Sequence, residues 1–312
     1  MIYLITGGAG FIGSNIVREL LRRNEKVRVL DNFSTGKREN ISPFVNHFNF
    51  KLIEGDLRSF HIVRDAVKGV DFILHQGALP SVPRSINDPI TTNDVNILGT
   101  LNILEAAKEF KVKRVIYASS SSVYGDSKTL PKKENMSVQP LSPYAISKYA
   151  GERYCQIYYK IYGLDTVCLR YFNVFGPNQD PFSQYSAVIP KFIKLIWEGK
   201  QPTIYGDGNQ SRDFTYVSNN VEANILACSV EGVAGEVFNI ACGGSFTLLQ
   251  LVDAINKILK RNIEPIFADG SPGDIKHSLA SIEKAKSLLK YQVSFNFEEG
   301  LKKTIKFFIE KG

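Results

Sequence analysis

The chain of 312 residues has only four cysteines and four histidines. Cys155, Cys168, Cys228 and Cys242 stand far apart, and no C-x-x-C pair occurs, so neither a zinc ribbon nor a disulfide framework is indicated. They read as free thiols, mostly core. His47, His61, His75 and His277 are scattered without H-x-x-x-H spacing, and no metal site is expected. No apolar run approaches the roughly 18 residues that a bilayer span needs. Met1 leads straight into the short apolar run 2–5 instead of a basic leader, so a cytoplasmic location without membrane attachment is expected. Lysine and arginine give a net charge of +7, but they are dispersed rather than gathered in tracts. That pattern argues against a nucleic-acid partner and suits an anionic small molecule. Internal repeats and low-complexity segments are also missing.

What the chain does have is alternation. With 44% apolar and 22% charged residues it has the composition of a globular protein large enough for a sizeable core. Short β-branched runs at 2–6, 26–30, 50–54, 71–75, 114–118 and 166–171 read as strands. Stretches 11–22 and 100–110 carry helical apolar spacing between them. This predicts an α/β fold, a doubly wound parallel sheet of the Rossmann type over residues 1–177, with ligand at the carboxyl ends of the strands. After FGPNQDP the texture turns to Gly, Pro, Asn and aromatic loops. A smaller C-terminal α/β lobe for the substrate is therefore expected over 178–312, with segments near 217–240 returning to the first.

GGAGFIG sets Gly7, Gly10 and Gly13 between the first strand and the first helix, with Phe11 and Ile12 in the opening turn. The first glycine allows a tight turn, the second lets a pyrophosphate approach the backbone, and the third lets helix and strand pack closely. The helix N-terminus offers that pyrophosphate unpaired N–H groups. Asp31, followed by Asn32, ends the second strand near the offset at which an acid holds the adenosine ribose hydroxyls, which favours NAD over NADP. Asp56-Leu57 after the third strand is a candidate adenine contact.

YAISK places Tyr144 and Lys148 one helical turn apart behind Pro143, on one face. A phenol near pKa 10 is a poor base at neutral pH, so a nearby lysine ammonium is expected to stabilise the phenolate for hydride-transfer chemistry. YASSSSVYG (117–125) ends a strand with four serines, where a hydroxyl could hold a substrate oxygen against the tyrosine.

Together these stretches resemble the extended short-chain dehydrogenase/reductases, and among them the NAD-dependent nucleotide-sugar 4-epimerases. The resemblance runs from TGGAGFIG through DN (31–32), GDL (55–57), HQGAL (75–79), NILGT (96–100), SSVYG, YAISK, RYFNVFGP (170–177) and QSRDFTYV (210–217) to PGDIKHS (272–278). It implies Tyr144 as general base, Lys148 as its partner and Ser120 as the catalytic hydroxyl, with Ser121 the alternative by one position. It implies NAD contacts at Gly77, Ala78, Asn96, Ser119 and Tyr171. Ser81, Arg84, Ser121, Ser122, Asn173, Val188, Arg212, Asp274 and Ser278 would face the sugar nucleotide, with Arg212 on the diphosphate.

HQGALPSVPRSINDP is most similar to the UDP-N-acetylglucosamine 4-epimerases. Ser278 stands where UDP-galactose-only members carry a tyrosine, which would leave room for a 2-acetamido group. Many members have an arginine at the position of Ser271, and Lys276 is a candidate replacement. The implied reaction is C4 epimerisation of a UDP-hexose through a transient 4-keto sugar, with NAD held as a prosthetic group. Members commonly form homodimers through helices such as those near 88–110 and 143–161. UDP-glucuronate epimerase or decarboxylase is the alternative substrate reading, and a catalytically idle NAD-binding regulator the alternative from another class. A 4,6-dehydratase is disfavoured, because Ser121-Ser122 occupies the place of its Asp-Glu pair.

Overall fold

The computed structural model describes residues 1–181, 187–269 and 276–311. Seven strands form one fully parallel sheet: β1 (Ile2–Thr6), β2 (Lys26–Asp31), β3 (Phe50–Glu54), β4 (Phe72–His75), β5 (Arg114–Ser120), β6 (Thr166–Tyr171) and a seventh, Val237–Ile240. Their spatial order is β3-β2-β1-β4-β5-β6-seventh. The order reverses between β1 and β4, so the crevice outside their carboxyl ends is the expected ligand site.

The sheet is buried on both faces, and β1, β4, β5 and β6 accordingly read as near-continuous apolar runs rather than alternating ones. One face packs Ile5, Val29 and Leu74 against Ile16, Val17 and Leu20 of α1 (Phe11–Arg22). The other packs Leu4, Ile73 and Val115 against α2 (Phe60–Val67) and the helix over Gly99–Glu109. That last helix follows two short helices, α3 (Val82–Asn87) and α4 (Pro89–Asn93), and a single wide turn of π type over Asp94–Leu98, and is called α5 here.

Helix α6 (Pro143–Tyr162) places the chemistry. Ser142 accepts from the Ala145 N–H at 3.1 Å as its N-cap, Pro143 opens the first turn, and Gly163 closes the helix in the left-handed region. Its buried face carries Tyr144, Lys148, Glu152 and Cys155 at successive turns against β5 and β6. Beyond residue 178 follow α7 (Val188–Trp197), α8 (Val217–Ser229) and α9 (Leu248–Leu259) among short strand pairs. Helix α8 packs on α1 and β5, beside the seventh strand. Among the described residues no helix is long and apolar enough to cross a membrane.

Candidate active site

A cavity of about 590 Å³ opens along the carboxyl ends of β1, β2 and β4 and reaches past β5 to α6. Its near end is the glycine turn. Gly7 has φ +66°, and a Cβ there would lie 2.8 Å from the Gly77 backbone, so only glycine fits where the turns after β1 and β4 touch. At Gly13 a Cβ would press into the Gly7 carbonyl and stand 2.8 Å from the Gly8 Cα. Gly10 caps α1 without a side-chain hydrogen bond, and no acid occupies the first turn. Phe11, Ile12 and Gly13 therefore turn backbone N–H groups and positive partial charge toward the cavity they line. That cradle fits a pyrophosphate.

Asp31 lines the same cavity next to Asn32. Its carboxylate accepts from Ala9 N at 2.9 Å and Phe33 N at 2.8 Å, which fixes it while leaving lone pairs for a ribose diol. Burial pushes its pKa up, and those two amides pull it back. Asp56 stands one residue behind the lining residue Leu57. It accepts from Asn32 Nδ2 at 2.9 Å, and Arg58 holds its pKa down at about 2. Across the mouth, Lys37 Nζ meets Asp180 at 2.9 Å, joining the loop after β2 to the loop at 177–180. Asn178 fastens that second loop by donating to Ser14 Oγ at 3.0 Å.

The floor after β4 holds Gly77, Ala78, Ser81 and Arg84. Ser81 has φ +98°, a strained value for serine, and its side chain accepts from Arg84 N at 3.3 Å. Behind this floor, His75 is buried between Thr6 Oγ1 at 2.7 Å and Thr100 Oγ1 at 3.0 Å, and burial holds its pKa down at about 3. Asn96 lies behind the floor too and does not line the cavity. Its amide grips both backbone groups of Leu79, at 2.7 and 3.1 Å, and donates to Ser147 Oγ at 3.0 Å. Its hydrogen bonds thus hold the shape of the floor.

At the far end Tyr144, Lys148, Ser119 and Tyr171 line the cavity. Tyr171 accepts from Asn224 at 2.6 Å and donates to Gln76 at 3.3 Å. Burial pushes the Tyr144 phenol above its ordinary pKa, and a hydrogen bond with Ser120 lowers it in part. Lys148 Nζ donates to Ala118 O at 2.9 Å, stands 5.9 Å from the centre of the Tyr144 ring, and is held by burial at about 8. Desolvation outweighs that hydrogen bond, so burial raises the phenol, and the Lys148 ammonium one turn away is the cation placed to offset the cost of a phenolate.

The four serines are sorted by the end of β5. Ser119 turns inward to Glu152. Ser120, extended at φ −146°, turns to Tyr144 and also accepts from Ser122 N at 3.2 Å, capping the short turn at 121–124. Of the two candidate hydroxyls, Ser120 is the one that lowers the Tyr144 phenol. Ser122 Oγ is buried and has no hydrogen-bond partner among the described residues.

Asn173, at φ +37°, donates to Asp213 O at 3.1 Å and to Ser278 Oγ at 3.5 Å, so two of the residues expected at the sugar come together. Arg212 Nη1 donates to Ser211 O at 3.0 Å and Lys276 O at 3.2 Å. Val188 opens α7 directly after Ala187, which lines the cavity. Asp274 and Ser271 lie outside the described residues. Sequence reasoning missed Gln76, Lys37 and Asp180 as lining residues. Gln76 sits inside HQGAL and was within reach of the motif, whereas nothing in the loop sequence pairs Lys37 with Asp180.

Known proteins match this arrangement. The model of the NAD dependent epimerase/dehydratase family matches residues 3–241. The UDP-N-acetylglucosamine 4-epimerase of Methanobrevibacter ruminantium M1, solved in complex with UDP-N-acetylmuramic acid, is 44% identical with a TM-score of 0.95, covering 99% of this chain and 98% of that one. The UDP-glucuronic acid 4-epimerase of Bacillus cereus, solved with UDP-glucuronic acid and NAD, is 32% identical with a TM-score of 0.92, covering all of both chains. A putative UDP-glucose 4-epimerase of Methanocaldococcus jannaschii is 37% identical over 303 residues, 97% of this chain and 96% of its own. With the glycine cradle, the ribose acid, Tyr144 and Lys148 in one cleft, the chain belongs to the NAD dependent epimerase/dehydratase family and is an enzyme that uses NAD.

Proposed function

We propose that the UDP-sugar 4-epimerase chemistry of this chain acts on 2-acetamido hexoses, interconverting UDP-N-acetylglucosamine and UDP-N-acetylgalactosamine. The observation that carries this reading is the small Ser278 side chain, whose hydroxyl lies 3.5 Å from the Asn173 amide. A serine there leaves the volume that a tyrosine would fill in the UDP-galactose-only members.

NAD, when bound, supplies the acceptor and donor of the C4 hydride. Tyr144, as phenolate, takes the proton from the C4 hydroxyl and gives it back to the same oxygen once the 4-keto sugar has turned over and C4 has been reduced on its other face. Ser120, which lowers the Tyr144 phenol, donates to the same sugar oxygen. Lys148 is a cation at neutral pH, with its pKa near 8, and its charge lowers the cost of the phenolate. Burial excludes water around these groups and strengthens each interaction. The unpartnered Ser122 hydroxyl is a donor for the sugar. The Arg212 guanidinium, anchored on two carbonyls, suits a diphosphate. Ser81, Arg84, Ser121, Val188 and Asp274 complete the sugar-nucleotide set, of which Val188, Arg212, Asp274 and Ser278 belong to a substrate lobe at 178–312.

Two chains pair through α6. Ile146, Ile157 and Ile161 recur on it at helical spacing and are 53%, 40% and 66% exposed, next to α4 with Ile90 at 74%. An apolar stripe of that kind is suited to a second copy of itself.

Ser278→Tyr tests the substrate reading. Turnover of UDP-N-acetylglucosamine should fall at least about 100-fold while UDP-glucose stays within about tenfold, the range that pocket volume commands. Equal turnover of the acetamido sugar before and after would refute it.

A further inference from the structure

Beneath the serine turn lies an ion pair that the binding motifs leave without a task. Glu152, two turns along α6 from Tyr144, and Arg170 on β6 have side chains only 2% and 5% exposed. They meet as a fork, Nε to Oε1 and Nη2 to Oε2, both at 2.8 Å. Neither lines the cavity. Burying two charges costs several kcal/mol, and an apolar pair of similar volume often does as well or better. Stability alone is therefore a weak reason for this pair.

Its partners supply a stronger one. Ser119 donates to the Glu152 carboxylate. The Arg170 guanidinium lies 4.7 Å from the centre of the Tyr124 ring, and the Tyr124 hydroxyl donates to Asn239 Oδ1 at 2.7 Å. Asn239 is held in turn by donating to Lys132 O at 3.0 Å and Ser281 O at 3.3 Å. Ser119 immediately precedes Ser120, and Tyr124 ends the turn that Ser120 caps. One buried ion pair thus grips both ends of the segment that carries the catalytic hydroxyl, and it rides on the same helix as Tyr144. A carboxylate and a guanidinium have directional bonds, so they fix rotamer and register where apolar groups fix only volume.

We propose that Glu152 and Arg170 are positioning residues for the reaction, a clamp that sets the Ser120 hydroxyl against Tyr144. The proposal rests on the reading of Ser120 as the hydroxyl that meets the sugar oxygen. Glu152→Gln alone strands a buried cation and risks unfolding, so the variant to make is the neutral pair Glu152→Gln/Arg170→Met.

Each measurement uses the UDP-sugar that the wild type turns over, and values are relative to wild type. The neutral pair should keep its bound NAD and hold KM within twofold, with kcat at least tenfold down. Adding Ser120→Ala to it should lower kcat by less than a further twofold, although Ser120→Ala alone costs much more, since two changes acting on one group do not add. Wild-type kcat in the neutral pair, beside a damaged Ser120→Ala, overturns the clamp alone, as does a loss that multiplies with Ser120→Ala. Unchanged kcat in Ser120→Ala overturns the reading of Ser120 and the proposal with it. If the neutral pair does not fold, Ser119→Ala decides: a kcat at least threefold down at unchanged KM supports the clamp, and wild-type kcat refutes it.

Discussion

Gly13→Ala is the smallest change that should separate the fold from its cofactor. The added methyl would press into the Gly7 carbonyl and sit 2.8 Å from the Gly8 Cα, where apolar carbons rest at about 3.5–4.0 Å. Both obstacles are backbone, so no rotamer relieves them. The first turn of α1 must move by about 1 Å. Overpacking costs about 1–3 kcal/mol, and two rigid obstacles put this case near 3. At about 2 °C per kcal/mol, the low end for chains of 150–250 residues, Tm falls by about 6 °C. The same movement withdraws the N–H groups of Phe11, Ile12 and Gly13 from the pyrophosphate, so NAD content should fall further than stability does.

Thermal unfolding and the NAD released per chain from gel-filtered protein read both effects. Gly163→Ala is the control. It takes a left-handed position, φ +67°, with open space around it, so it costs about 1–2 kcal/mol without loss of NAD. Gly13→Ala with the wild-type Tm and full NAD content would refute the close-packing argument.

Tyr144→Phe should lower kcat by about 100-fold or more, the scale of a lost general base, with UDP-sugar binding retained in calorimetry; turnover within tenfold of wild type would remove Tyr144 from that role. Stability against pH should carry the mark of His75. Its folded pKa, about 3, lies below the ordinary 6.5, so its contribution is present above pH 6.5 and is lost as pH falls through that window. The loss is at most about 1.4 kcal/mol per pH unit. Asp213 runs the other way, because burial raises it to about 6 and its contribution is lost as pH rises through that value. Urea melts of wild type and His75→Gln between pH 6.5 and 4 should diverge, wild type losing the more; parallel curves would contradict a buried neutral imidazole. Light scattering should give the mass of two chains, and Ile157→Glu/Ile161→Glu the mass of one.

Much of the fold was legible because parallel strands buried on both faces read as apolar runs, and because Pro143 marks the start of α6. The cradle was legible for the same kind of reason, since Gly7 and Gly13 answer to local sterics. What stayed hidden depends on contacts between distant residues. Lys132 bridges to Ala280, and Lys37 reaches Asp180, and no local pattern announces either pairing. Asn96 illustrates the limit of motif reading: its segment is part of the family pattern, yet its hydrogen bonds go to Leu79 and Ser147 behind the cavity. The pairing of Glu152 with Arg170 is likewise a product of the fold, which buries the two charges together.

The central claim is tested most directly by incubating purified protein, without added cofactor, with UDP-N-acetylglucosamine, UDP-glucose and UDP-glucuronic acid in separate samples, and following the C4 epimer by proton NMR. The account predicts UDP-N-acetylgalactosamine as the fastest-formed product. Conversion of UDP-glucose or UDP-glucuronic acid alone would contradict the open pocket at Ser278, and no conversion of any of the three would contradict the epimerase itself.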